Sequence, residues 1–371
     1  MVGTALVTDY RYLFVDILSN KVVAELPCYG VSLTRQVNKA GNMTATVGMN
    51  QAGYSNADVL DSTIPGRTAF YAMRDGHLLW GGPVWTRTYQ ARGKALSMTG
   101  QTWESWPSKF WPTQDLIYVN VEQRNILLDI ITNMQSVALQ SAGWTLPGTF
   151  DVQQSRTVNF FQHEKQSYGD MIDYMLGFDI GFDYMIDPVL DAAGVTQNIV
   201  VVGNPTIGAG SGTTGLRFDY PGSITDYWFT ENASAGAVKV WGIGSGEGLA
   251  MLQSSYTQAD LVTLGTYPLL QDVYTNKDVS IQATLDSQTK AYGNSKRVPV
   301  TSITIQTDPA QDPIVGSWSL GDQAIVYIED EGRFPTAPFL GLVRVIGWEL
   351  QPASSDEKES LKLILVGDDS A

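Results

Sequence analysis

Tyr71-Ala-Met-Arg-Asp-Gly-His-Leu-Leu-Trp-Gly-Gly82 is the stretch that decides the fold class. An Asp-Gly pair between two apolar runs is the strongest short-range signal for a β-hairpin, because both turn residues must adopt positive φ. The hairpin arms extend to Arg67–Arg74 and His77–Thr88. Working outward, Tyr12–Leu18, Lys21–Glu25, Val31–Gln36 and Met43–Gly48 read as strands upstream, with Ser19-Asn20-Lys21 as a turn. Downstream, Ala91-Arg92-Gly93-Lys94 leads into a further strand, Ala95–Thr102. From Tyr10 to Trp106 the grammar is strand and tight turn throughout. We read it as a closed or nearly closed antiparallel barrel.

The bulk composition bounds what the chain can be. At 371 residues it fits two to four domains. Hydrophobic residues make up 43% and charged residues 16%, the latter below the usual share of roughly 25%. A weakly charged surface is expected where neighbouring subunits cover much of it. The net charge of −15 argues against a protein that grips nucleic acid, which needs clustered Lys and Arg. It is compatible with an acidic-walled duct through which DNA slides. Cys28 is the lone cysteine and the two histidines, His77 and His163, lie far apart, so no disulfide and no structural Cys/His zinc site is expected. No signal peptide and no stretch of about 20 apolar residues is visible, which fits synthesis in a cytoplasm without stable membrane insertion.

Beyond Trp106-Pro107 the pattern changes. Trp103, Trp106, Phe110 and Trp111 cluster in a loop. They read as a hinge packed on the first domain, or else as a docking surface. Ile126, Leu127, Ile130, Ile131 and Met134 recur at helical spacing, with Asn120 and Gln123 as a capping box in front. Ser167 and Asp170 cap a second helix through Met171, Ile172, Met175 and Leu176 to Gly177. Asp179–Asp187 reads as a strand with Ile180, Phe182, Tyr184 and Ile186 on one face and Asp179, Asp183 and Asp187 on the other, paired with Ile199–Val202. Gly203–Gly215 reads as a mobile loop. Thr225–Ile243 reads as a hairpin turning at Asn232–Gly236. Thr257 and Asp260 cap a short helix at Leu261–Leu264, and Ser280–Ser295 contains another. Strands return at Val300–Gln306, Gln323–Glu329, Phe339–Leu350 and Ser360–Leu365, and Gly367–Ala371 reads as a frayed tail.

Each group of residues that could carry chemistry also has a blander reading. Gly242-Ile-Gly-Ser-Gly-Glu-Gly248 lacks the Gly-Lys-Ser/Thr ending of a phosphate loop and reads as a linker. Asp179, Asp183 and Asp187 have the types needed for glycoside hydrolysis, but any strand with one wetted face shows the same spacing. His163 beside Glu164 has no Ser or Cys in a nucleophile turn, and no Gly-x-Ser-x-Gly elbow exists. His77 follows a hairpin turn, and Cys28 has no activating neighbour. Lys39, Arg67, Arg87, Arg92 and Lys94 are dispersed rather than striped. Arg35, Lys296 and Arg297 are candidates for subunit contacts. No catalytic, cofactor-binding or metal-binding residue is assigned, and no enzymatic activity is expected.

The segment Gly316-Ser-Trp-Ser-Leu-Gly-Asp-Gln-Ala-Ile-Val-Tyr-Ile328 resembles the W-x-L-G-D-x-V-x-V signature of tail and baseplate proteins, with Leu320-Gly321-Asp322 as a tight turn. In order and length the whole chain resembles the tail hub, or minor tail protein, family of long-tailed phages. That resemblance implies an α+β, mainly β fold: two tail-tube-like antiparallel β-barrels with intervening α+β and helical insertions. It places the first barrel domain at 1–112, the α+β insertions at 113–222 plus 248–297, and a second, discontinuous barrel at 223–247 plus 298–371. It further implies a homotrimer whose six barrels form a ring at the virion tail tip. The ring would join the distal tail protein and tail tube to downstream tip or fibre proteins, and let the tape measure protein and DNA pass during genome ejection. The chain resembles the short hub form, without a peptidase extension. The rival reading is a receptor- or glycan-binding tail protein using the Trp103–Trp111 cluster.

Overall fold

The computed structural model describes residues 8–51, 53–298, 300–353 and 358–367. The expected frayed tail beyond Gly367 lies outside them. The first seven strands are β1 (Tyr10–Asp16), β2 (Lys21–Glu25), β3 (Tyr29–Gln36), β4 (Asn42–Gly48), β5 (Thr68–Arg74), β6 (His77–Gln90) and β7 (Ala95–Gln101), with a short helix α1 (Asn56–Asp61) between β4 and β5. Their order in the sheet is β2-β1-β5-β6-β7-β4-β3. Asp75 and Gly76 both have positive φ, as the β5–β6 hairpin requires. The apolar run in β1 is explained by burial on both faces. Tyr12 and Phe14 enter one core, while Leu13 and Val15 enter another.

The middle of the chain holds β8 (Leu116–Glu122), α2 (Gln123–Ser136), β9 (Trp144–Thr145), β10 (Ser155–Phe160), α3 (Tyr168–Leu176), β11 (Tyr184–Leu190), β12 (Thr196–Val202) and a single helical turn, α4 (Ser211–Thr214). Apart from α4, which lies against β19 (Gln323–Ile328), these pack over the face of β1 and β5 that carries Leu13, Val15 and Tyr71. The periodic residues of α2, Ile126, Leu127, Ile130, Ile131 and Met134, are all buried there. The capping box of α3 forms as expected between Ser167 and Asp170. That of α2 does not: Glu122 is the cap, and Asn120, at φ 55°, donates its backbone N–H to the Thr157 hydroxyl at 3.1 Å instead. The strand expected at Asp179–Asp187 starts only at Tyr184. Ile180 has φ 53° and is exposed, because residues 177–180 turn the chain before β11 begins. Gly203–Gly215, expected to be mobile, buries Ile207 and is tied to the rest of the molecule by backbone bonds.

The remaining elements are β13 (Arg217–Tyr220), β14 (Ile224–Asn232), β15 (Lys239–Ile243), β16 (Gln253–Thr257), α5 (Ala259–Leu264), β17 (Gln271–Thr275), α6 (Gln282–Ser295), β18 (Val300–Thr307), β19 (Gln323–Ile328), β20 (Phe339–Gln351) and β21 (Ser360–Gly367). The hairpin expected over Thr225–Ile243 does not form. β14 pairs antiparallel with the distant strand β18, whereas β15 is the central strand of a small sheet, β16-β15-β17, covered by α6. The short helix α5 has Gln258 rather than Thr257 at its N-cap, without a side-chain cap bond.

The second set of strands runs β13-β19-β20-β21-β18-β14. It repeats the first in order: β5, β6, β7, β4 and β3 correspond to β19, β20, β21, β18 and β14. The two sets are one sheet, because β3 pairs antiparallel with β20 at Leu33–Gln36 against Gly347–Leu350. The fold is thus mainly β with α+β insertions, built on a 13-stranded sheet. Closed barrels are not found among the described residues. The edge of β3 that would have to meet β2 to close the first set is occupied by β20 instead. A single apolar core runs beneath both sets, from Phe14, Leu33 and Trp80 to Phe218, Leu350 and Leu363.

Candidate functional site

The chemistry-bearing residues converge on the joint between the two strand sets. Asn38 adopts φ 64° in the turn after β3, a conformation that Asn tolerates through its short polar side chain. Its amide donates to Asp183 Oδ1 at 2.8 Å, and its side-chain oxygen accepts from the Tyr184 N–H at 2.7 Å. Arg344 on β20 donates to the other Asp183 oxygen at 2.6 Å. The Ile207 N–H also reaches that oxygen, at 3.3 Å. One carboxylate therefore ties together the first strand set, the α+β insertion and the second strand set.

The Leu320-Gly321-Asp322 turn fastens the same region. Asp322 Oδ1 accepts from the Ala209 N–H at 2.7 Å and Oδ2 from the Ser319 N–H at 2.8 Å. Gly321 has φ 93°, and a Cβ there would fall against the Ile207 carbonyl, so both conformation and space demand glycine. The turn thus bonds an upstream amide of its own and a distant loop.

Arg35, buried on β3, donates to Asp187 Oδ1 at 3.0 Å and to the backbone oxygens of Ile186 at 3.1 Å and Leu79 at 3.3 Å. It lines a cavity of about 410 Å³ together with His77, Trp318 and Leu350. The Trp318 indole N–H is buried there without a partner among the described residues. Glu104 is buried nearby. Its Oε1 accepts from the Ile186 N–H at 2.7 Å, and burial pushes its carboxyl up. A further clasp links the two sets at their far end, where Arg74 of β5 forms two bonds to Glu359, at 2.8 and 3.0 Å.

The three aspartates are thus not grouped for catalysis. Asp179 pairs with Lys290 at 2.7 Å, Asp183 with Arg344 and Asp187 with Arg35. Such pairs fix register between elements. Arg35 was a candidate for subunit contacts, but it is buried inside this joint. Lys296 lies 3.9 Å from Asp272, and Arg297 pairs with Asp260. Arg67 pairs with Asp16, Arg87 donates to the Leu60 carbonyl and Thr63, and Arg92 and Lys94 are exposed. His163 is exposed and stacked on Phe161. Burial pushes the Cys28 thiol well above its usual range. The glycine run is packed at its start, where a Cβ at Gly242 would strike Thr289 and one at Gly244 the Val279 carbonyl, and open at Gly248, where a Cβ would meet nothing. Among the described residues no group of three His, Cys, Asp or Glu could hold a metal ion, and no helix is long and apolar enough to cross a membrane.

The aromatic cluster is core. Trp103 and Trp106 are buried, their rings meeting edge to face at 5.8 Å. Trp103 donates to the Tyr71 hydroxyl at 3.2 Å and Trp106 to the Gln140 carbonyl at 2.9 Å. Burial pushes the Tyr71 hydroxyl up to about 12. Only Trp111 presents a large exposed surface, and its N–H is bonded to the Lys165 carbonyl. Sequence reading missed Asn38 and Arg344, whose only local signal is an Asn placed where a strand must turn.

No protein-family model matches the chain, and no curated protein sequence matches it. Solved structures do. The tail protein from Neisseria meningitidis MC58 superposes with a TM-score of 0.58 at 12% identity, covering 98% of this chain and 97% of that one. The 43 kDa tail protein of prophage MuSo2 from Shewanella oneidensis gives 0.58 at 9% identity, covering 97% and 98%. The prophage tail protein gp18 from Listeria monocytogenes gives 0.53 at 11% identity, covering 95% and 94%. The chain therefore shares the fold of phage and prophage tail proteins over nearly its whole length.

Proposed function

We propose that this protein is a structural, non-enzymatic component of a phage tail, the hub at the distal end of the tail tube. The observation that carries this reading is the single sheet made of two strand sets with the same order, joined edge to edge. A repeated unit joined by its strand edges can be propagated around an axis. The full-length likeness to tail proteins points the same way. We take residues 1–112 and 223–247 plus 298–371 as the two tube-like domains, and 113–222 plus 248–297 as insertions.

In this reading three copies form a ring at the virion tail tip. The ring meets the tail tube and distal tail protein on one side and tip or fibre proteins on the other. Tape measure protein and DNA pass through it, and the net charge of −15 suits a wall that does not hold the DNA backbone. The ion pairs and the Asp322 turn at the joint then serve as rigid fastenings of the ring. The receptor- or glycan-binding alternative loses its main support, since Trp103 and Trp106 lie in the core.

The test is twofold: mass spectrometry of purified tails from the phage encoding this chain, and native mass of the purified chain. The reading expects the protein in tails at a few copies per particle and a trimer in solution. Absence from purified tails would overturn it.

A further inference from the structure

The repeat within the chain leaves one joint unused. β6 and β20 are both long, and each changes partner midway. The first half of β6 pairs with β5 and that of β20 with β19, while their second halves pair with β7 and β21. Both ladders shift register at the same place, between Val84 and Thr86 and between Val345 and Gly347. In both, a left-handed glycine donates its N–H to the carbonyl of the valine before the shift: Gly66 to Val84 at 2.8 Å and Gly321 to Val345 at 2.7 Å. These marks align Thr86 with Gly347 and Tyr89 with Leu350.

The strand that occupies β20 beyond the shift is β3. The ladders identify its counterpart. Leu33 faces Met43, which faces Gly100; Phe229 faces Ile303, which faces Leu365. Gly100 and Leu365 face the two valines. Phe229 on β14 is therefore the counterpart of Leu33. Among the described residues β14 pairs only with β18, and the second half of β6 only with β7.

We propose that β14 of one copy pairs antiparallel with Thr86–Tyr89 of a second copy, in the register that β3 and β20 use internally. This rests on the ring reading above and assigns its contact surfaces. The register sets Phe229 against Tyr89, Thr230 against Thr88 and Glu231 against Arg87. An aromatic pair, a threonine pair and an opposite-charge pair are each favourable directly across an antiparallel ladder. Burial differs as an unfilled joint requires. Leu33 and Leu350 are 0% exposed at the internal joint, whereas Tyr89 is 54% exposed. The contact is head-to-tail, so repetition closes a ring when the rotation allows it. The internal precedent selects a second copy of this chain as the occupant, with Glu231, which Arg333 of its own chain pairs at 3.0 Å on the exposed surface, shared with Arg87.

The experiment uses the full chain with Cys28→Ala, in which Thr88→Cys and Thr230→Cys are made separately. Both positions are exposed, so neither change disturbs the core. Oxidation of the mixture is expected to give a covalent dimer that neither variant gives alone. Glu231→Arg in the Thr230→Cys chain should cut that yield at least about tenfold, through like charges brought face to face. Adding Arg87→Glu to the Thr88→Cys chain should restore it. If the chain sediments as an oligomer but the mixture cross-links no better than the single variants, the register is wrong and the ring reading survives. A chain that stays monomeric at every concentration and never cross-links overturns both.

Discussion

Replacing Glu359 with Leu should destabilise the protein by about 3 kcal/mol, and replacing its partner as well should restore most of that loss. Arg74 and Glu359 have side-chain exposures of 4% and 10%, and their contact is two-pronged. The Tyr10 hydroxyl donates to the same carboxylate, and the Pro309 carbonyl accepts from Arg74 at 3.3 Å. Each charge-assisted bond contributes about 1.5–3 kcal/mol, so losing the two from Arg74 alone costs roughly 3–6 kcal/mol. Asp75, 3.1 Å from Arg74 but half-exposed, keeps part of the compensation and places the expected cost at the lower end. The double variant Arg74→Met with Glu359→Leu leaves no buried charge unpaired and should lie within about 1 kcal/mol of the native protein. Equilibrium urea unfolding of the four proteins closes the cycle and yields the coupling directly. A cost below about 1 kcal/mol for Glu359→Leu, or a double variant less stable than the single one, would refute the claim that this pair clasps the two strand sets.

Other consequences are equally direct. Trp103→Ala should cost about 3–5 kcal/mol by opening a cavity in a filled core, whereas Trp111→Ala should change thermal stability little; the reverse order in a denaturation series would return the cluster to the surface. Gly321→Ala should destabilise the joint by more than about 1 kcal/mol, read as faster hydrogen exchange at Ile207 and Ala209, because the turn requires positive φ and the Ile207 carbonyl leaves no room. Burial raises the Glu122 carboxyl, but Arg124 and the N–H groups of Gln153 and Gln154 outweigh it and hold it below the usual range. Its contribution is therefore complete above the ordinary glutamate value of about 4.3 and is lost as pH falls through its lower folded value. Glu122→Gln should flatten the acid limb of a stability-against-pH curve, and an unchanged limb would show that Glu122 does not contribute to it.

Local signals carried much of the fold. The Asp75-Gly76 hairpin, the strands around it and the Ser167–Asp170 cap depend on residues within a few positions of one another, and they form as read. What the sequence concealed is mostly long-range. Nothing near Leu33 announces that its strand edge meets Gly347–Leu350, and that pairing is why the expected barrel closure is absent. Lys239–Ile243 has the apolar content of a hairpin arm, yet β18 claims β14 and leaves β15 to a separate sheet. At Asp179–Asp187 the period-two pattern was real from Phe182 onward, but alternation cannot report the left-handed turn at Ile180. Asp183 looked like a wetted face because its partner, Arg344, lies far along the chain. The Leu320-Gly321-Asp322 turn was legible as a turn, though its role in holding Ala209 was not.

The central claim is that this chain forms an axial ring in a phage tail. A cryo-EM reconstruction of the tail tip of the phage that encodes it tests this most directly. The account predicts threefold density on the tail axis that accepts three copies, each contributing both strand sets to one continuous wall. Density for the chain away from the axis, as a peripheral appendage, would contradict it.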